Sequence, residues 1–399
     1  MRLHNGDLYW PETVDKRHEY PSLSSDITCD VLIIGGGMAG ALVAEELSHN
    51  PLKTVLAEKG RIGSGSSSAN TGLLQYSNDK MLHEMAEEIG EEEAVLFYKL
   101  CLEAVDELQQ VSGPLTPPVD FIRRPSLYYA SDETDVQKLE KEYEILNKHG
   151  FEVEFYDKER IKERFGFEKP AALMTHGDAE VNPYKLVTAL IETANVRDVE
   201  VYENTELTEE GKEGEYWCFA SPEGRIMAKH VIYSTGYGSV PDLSSIGAEL
   251  NRTYAIATTP VDNLERWSYQ SLIWETKRPY FYMRTTADNR IVAGGLDQEE
   301  LTGTLEEGVI QDRGKKLLDK IKEHFPDFEV EVSHAWAASF GESKDGLPFI
   351  GEHPEKENIY FCLGYGGNGT VYSKLGAKML CELIQGNPSE GASIVKLDR

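Results

Sequence analysis

Apolar positions along the chain mark out its elements. Residues 30–34 end in an unbroken apolar run, Val31-Leu32-Ile33-Ile34, the pattern of a strand buried on both faces. A glycine-rich turn, 35–40, follows. Residues 41–47 then put small and apolar side chains at helical packing positions, and 53–58 reads as a second strand. Together these predict a βαβ unit of about thirty residues. Residues 79–111 repeat apolar positions at helical spacing, with Leu96, Leu100 and Leu108 among them. Residues 121–130 read as strands. A helix is expected over 135–149, where Val136, Leu139, Tyr143 and Leu146 recur, and another over 183–193, with Pro183 suited to its first turn. Strands follow at 199–202 and 229–236, the latter closing on a tight turn.

From 251 to 293 the pattern changes to short strands rich in Thr, Tyr and Val between turns, which predicts an antiparallel sheet. Helix returns at 304–325, then a strand at 360–363 and a helix at 371–384. No repeat or low-complexity tract interrupts this order. The expected fold is α/β: a Rossmann-type nucleotide domain assembled from 1–85, 165–240 and 335–399. A substrate domain of antiparallel sheet plus helices would be inserted as 86–164 and 241–334.

A length of 399 residues fits two domains, and 40% hydrophobic with 27% charged residues is ordinary for a globular chain. No stretch approaches the ~18 apolar residues of a membrane span, and the polar first twenty residues lack a secretory pattern. The five cysteines are scattered and never CxxC-spaced, which suits a reduced, cytoplasmic chain. The net charge of −29 argues against nucleic acid and anionic lipid as partners. It is compatible with a cationic substrate, or with solubility alone.

Within the turn, Gly35-Gly36-Gly37-Met38-Ala39-Gly40 follows a strand and opens a helix, and Glu58 ends the next strand. This is a complete dinucleotide fingerprint. Gly35 allows the tight turn, Gly37 the close approach of a pyrophosphate to the helix N-terminus, and Gly40 the packing of helix on strand. Glu58 can accept from ribose hydroxyls. Three further segments separate FAD from NAD. The 61–72 segment offers many small residues to a long phosphate-ribityl chain. Thr235-Gly236 gives a second close approach, and Gly364-Tyr365-Gly366-Gly367-Asn368-Gly369-Thr370 a third, at another helix N-terminus.

With these motifs the chain resembles the FAD-dependent family that includes D-amino-acid oxidase, glycine oxidase and sarcosine oxidase, over about 26–384. It is nearest to the gamma-glutamylputrescine oxidase branch. The carrying residues are Tyr20-Pro21, Arg61-Ile62-Gly63, Tyr282-Met283-Arg284, the stretch 344–351 and above all the 364–369 loop. The resemblance implies that Glu58, Lys59, Arg61, Ser67 and Ser68 hold adenosine and pyrophosphate and that Leu207 meets adenine. Thr71, Gly72 and Leu73 would lie near the isoalloxazine. It also implies hydride transfer from the carbon beside an amine to flavin N5, giving an imine, with oxygen or another acceptor taking the electrons.

The departures from the family shape the substrate expectation. Where glycine-oxidase-like relatives carry an arginine for the substrate carboxylate, this chain has Phe340, and a second such position falls at Gly367. Arg284 is an alternative clamp, or a partner for a surface acid. Tyr282, Phe340 and Tyr365 are expected walls of an amine pocket. No cysteine lies in 336–341, so FAD should be non-covalent. No lysine lies in 290–294, which leaves a dehydrogenase, or an impaired FAD-binding module, as alternatives to an oxidase. His176 and His334 have no diagnostic partner spacing and read as structural.

Overall fold

The structure is a computed structural model that describes residues 3–237, 249–299 and 307–399. The expected 240/241 boundary and the start of the helix expected at 304 lie outside these residues.

Five strands build the parallel part of the first sheet, in the order Glu200–Tyr202, Thr54–Ala57, Ile27–Ile34, Gly224–Tyr233 and Ile359–Leu363. Strand alternation decides its packing. Val31 and Ile33 point into one apolar cluster with the helices Met38–Leu47, Pro183–Val196 and Gly369–Ile384, while Leu32 points into another with Trp217, Phe219 and Phe361. The strand Gly224–Tyr233 has two neighbours on the same side. Its first half pairs with Tyr216–Ser221 and its last residues with Ile359–Leu363. The hairpin Thr208–Glu213 and Tyr216–Ser221 extends this sheet and is not part of the sequence expectation.

The second sheet has nine strands. Its central part is antiparallel: Val332–Glu342, Glu249–Thr258, Ile291–Glu299, Phe281–Thr285 and Leu272–Glu275. The strand Leu272–Glu275 then pairs in parallel with Ser126–Tyr129. The sheet is therefore mixed, because that partner arrives from an earlier part of the chain. The helix Glu307–His324 covers one face through Ile310, Leu317 and Ile321. Three strands of this sheet, His4–Gly6, Ala171–Thr175 and Val332–Glu342, come wholly or partly from stretches that the sequence reading gives to the nucleotide domain.

One expected helix is two. Gly90, with φ +94°, separates Leu82–Ile89 from Glu91–Ser112. A glycine at positive φ ends the first helix, and apolar periodicity alone does not reveal the break.

Candidate active site

A groove of about 920 Å³ runs along the carboxyl ends of the parallel strands. Gly35, at φ +111°, makes the turn out of the first strand, and a Cβ there would stand 2.5 Å from the Ser234 carbonyl oxygen. A Cβ on Gly40 would overlap the Gly35 carbonyl. At Gly37 a Cβ would meet only the Ser67 hydroxyl, at 3.2 Å, so this glycine keeps groove volume open. Glu58 lies at the groove wall, its two oxygens accepting the Gly36 and Gly60 N–H groups at 2.8 Å each. Ser67 Oγ accepts the Met38 N–H at 2.9 Å.

Gly35, Gly37, Met38, Ala39, Glu58, Lys59, Arg61, Ser67, Leu207, Thr235, Gly236, Gly364, Tyr365, Gly369 and Thr370 all line this groove. Three other residues named from the sequence line neither this groove nor the smaller cavity beside it. Gly40 and Gly72 pack against backbone, and the Ser68 hydroxyl turns back to the Gly65 carbonyl at 2.8 Å. The hydroxyls of Ser66, Ser234 and Thr235 are buried at the groove without a partner among the described residues. A bound polyhydroxylated, phosphorylated ligand would satisfy such donors. The helix Gly369–Ile384 presents its N-terminal N–H groups at the same wall.

A second, smaller cavity, about 130 Å³, adjoins the first, and Ser66, Asn70, Tyr237 and Gly369 line both. Its floor is the face of the nine-stranded sheet. In the register Trp274 stands opposite Tyr282, Tyr282 opposite Gly294, Gly294 opposite Ala255, and Thr253 opposite Ala338. Opposed residues share a face. Small residues at 255 and 338 open the floor, Trp274, Tyr280, Tyr282 and Phe340 wall it, and Gly294 makes room for the Tyr282 phenol. Burial holds the Tyr280 and Tyr282 phenols well above their usual range, so both stay neutral donors. Trp274 Nε1 is buried with no partner among the described residues.

The lining of this cavity includes no arginine, lysine or histidine among the described residues. Its one carboxylate is Asp79, whose Oδ2 accepts the Gly367 N–H at 3.0 Å. The undescribed segments 238–248 and 300–306 contain no lysine or arginine in their sequence. Asp297 lies nearby with one oxygen buried and unpartnered. Burial lifts its carboxyl to about 6, opposed by a hydrogen bond from Thr253 and reinforced by Glu342 and Asp79. Neither Asp79 nor Asp297 is among the residues singled out from the sequence, because nothing local distinguishes them from other surface acids.

Arg284 departs most from expectation. It is 2% exposed and not on an exposed strand face. Its Nε, Nη2 and Nη1 donate to the carbonyls of Thr71, Val181 and Thr285 at 2.8, 2.7 and 3.0 Å, and Nη1 stands 3.8 Å from Glu180. It lies behind the 69–72 loop and outside the lining of the second cavity, so it is not placed as a substrate clamp. Tyr365 packs against Tyr237 and Phe349 and lines the larger groove. Gly366, Gly367 and Asn368 line the smaller cavity with Thr71 and Leu73. His334 bonds Ser333 and Glu12, away from both cavities, and His176 lies 3.4 Å from Glu154.

Residues 30–383 match the FAD dependent oxidoreductase family, DAO. Among relatives, the gamma-glutamylputrescine oxidoreductase of Escherichia coli K12 is 24% identical over 397 residues, covering 95% of this chain and 89% of that protein. The glycine oxidase of Bacillus subtilis 168 is 25% identical over 367 residues, 89% of this chain and 92% of that one. Of solved structures, glycine oxidase from Geobacillus kaustophilus superposes with a TM-score of 0.80 at 21% identity, covering 93% of this chain and 99% of that one. L-proline dehydrogenase from P. horikoshii gives 0.76 at 19% identity, covering 94% and 98%.

Proposed function

Since the chain belongs to the DAO family of FAD-dependent oxidoreductases, we propose that it oxidises a small primary or secondary amine that has no carboxylate beside the reacting carbon. FAD, when bound, supplies the hydride acceptor for the carbon next to nitrogen. The larger groove would hold it, with Glu58 toward the ribose, the first turn of the Met38–Leu47 helix toward the pyrophosphate and Leu207 toward adenine. Three orphan hydroxyls wait for acceptors or donors there. We read the attachment as non-covalent, and cysteine placement supports this. All five cysteines are buried, and the one at the groove, Cys362, has its thiol pushed up to about 12 by burial, so it is no nucleophile.

The observation that carries the substrate reading is the charge of the smaller cavity. Where relatives of this family are expected to hold a carboxylate with arginine, this chain has Phe340, and Gly367 with its N–H on Asp79. An α-carboxylate buried there would find no cationic side chain in the lining, only Asp79, whose Oδ1 already stands 3.6 Å from Arg278 outside it, and such burial costs several kcal/mol. An amine meets aromatic faces and a carboxylate. Trp274 Nε1 offers one donor to a neutral acceptor on the substrate. The chain's own tasks are to exclude water and to orient the carbon, and the imine product is hydrolysed by water. The lack of lysine in the lining favours a second reading on the oxidative side, a dehydrogenase that passes electrons to an acceptor other than oxygen. We keep the two-domain division and cytoplasmic placement as part of this proposal.

The test is anaerobic titration of FAD-loaded protein with diamines and alkylamines, against glycine, sarcosine and D-alanine, following the flavin band near ~450 nm. Bleaching by the amines is expected. Faster bleaching by the short α-amino acids, by tenfold or more, would overturn the substrate assignment.

A further inference from the structure

Between the two cavities, three consecutive backbone carbonyls are each held by a side-chain N–H from a different part of the chain. Trp336 Nε1 donates to Ala69 O at 2.9 Å, Trp10 Nε1 to Asn70 O at 2.6 Å and Arg284 Nε to Thr71 O at 2.8 Å. The donors form one block: Trp10 and Trp336 share a buried cluster with Ala69, and the Arg284 guanidinium lies 4.9 Å from the Trp10 ring centre. All three donors are at most 2% exposed.

A trans peptide points its N–H opposite to its C=O, and the peptide units of this loop are trans. Fixing the Ala69 and Asn70 carbonyls on the block therefore turns the Asn70 and Thr71 N–H groups away from it. Those two N–H groups have no hydrogen-bond partner among the described residues. The third, on Gly72, is taken by Asn70 Oδ1 at 2.6 Å. Asn70 lines both cavities and Thr71 lines the smaller one. Gly72 closes the turn at φ +75°, where a Cβ would overlap the Val181 carbonyl.

We propose that Trp10, Trp336 and Arg284 are positioning residues that aim the Asn70 and Thr71 N–H groups at acceptor atoms of the bound isoalloxazine. This rests on the reading that FAD occupies the larger groove with its ring at the junction. The N-terminal arm, through Trp10, is thereby part of the cofactor site although it is remote in sequence from every nucleotide motif.

The test uses Trp10→Phe and Trp336→Phe, which remove one N–H each and keep an aromatic ring. Trp267→Phe is the control. Trp267 is equally buried and donates to Ser271 O at 2.7 Å within the other core. FAD dissociation constants and the visible circular dichroism of the bound flavin are measured for each. Both site variants should bind FAD about fivefold more weakly, as expected for one neutral hydrogen bond, and change the flavin dichroism. The control should do neither. The double variant should fall short of the product of the singles, because one loop carries both effects. In the wild-type protein, the Asn70 and Thr71 amides should exchange with solvent rapidly without FAD and slowly with it. Unchanged FAD affinity and dichroism in the site variants, or unchanged exchange at 70 and 71 on FAD binding, would overturn the proposal. Wild-type protein that fails to bind FAD would instead overturn the groove assignment itself.

Discussion

Glu58→Gln separates two jobs of one carboxylate. In the structure its oxygens accept the Gly36 and Gly60 N–H groups, both at 2.8 Å, before any cofactor contact is counted. Glutamine has one acceptor oxygen. Its NH₂ must then face one of these N–H donors, so one bond to a charged acceptor is lost and the other is weakened. Bonds to charged groups contribute about 1.5–3 kcal/mol, so the unliganded protein should lose roughly that much stability. This loss occurs with and without FAD and cancels from the affinity. What remains in the affinity is the ribose contact, which falls from a charged to a neutral acceptor. A loss of about 1–2 kcal/mol there corresponds to roughly 5- to 30-fold weaker FAD binding. Urea unfolding of the apoprotein and fluorescence titration with FAD read the two effects independently. An FAD dissociation constant within twofold of wild type would show that Glu58 does not hold the ribose. Unchanged apoprotein stability would show that the loop bonds contribute nothing.

Three other outcomes are expected. Gly37→Ala should fold normally and bind FAD poorly, whereas Gly40→Ala should lose thermal stability, because only the latter Cβ strikes backbone; equal melting temperatures would contradict this. Asp79→Asn should lower kcat/KM for cationic amines by roughly tenfold, the loss of one charged contact, and flatten its salt dependence; steady-state kinetics at two ionic strengths decide it. Asp178 is fully buried, and burial lifts its carboxyl to about 6 against the partial relief of bonds from Ser126, Tyr76 and Thr175. The native protein thus keeps a proton that the unfolded chain releases near pH 4. The associated stability, about 3 kcal/mol, is complete below pH ~4 and is lost as pH rises through about 6. Asp178→Asn should reduce the slope of stability between pH 4 and 7, leaving the part that Asp297, also lifted to about 6, contributes; an unchanged slope would place its origin elsewhere.

The nucleotide half was legible in the sequence because its determinants are local. A buried parallel strand, a turn that only glycine can make and a carboxylate at the next strand end follow one another within about thirty residues, and each constraint acts on its own neighbours. The absence of arginine at 340 and 367 was equally readable, and with it the expectation about carboxylates. What tertiary structure alone decided is whatever depends on elements distant in sequence. Arg284 looks exposed in a strand pattern, yet the Trp10 ring lies against it and the carbonyls of Thr71, Val181 and Thr285 take its donors. Asp79 becomes a feature of a cavity only when the 364–370 loop and the nine-stranded sheet meet. The three carbonyls at 69–71 are fixed by donors from residues 10, 284 and 336. No spacing rule links those positions, because the hydrogen bonds joining them form only after two sheets have packed.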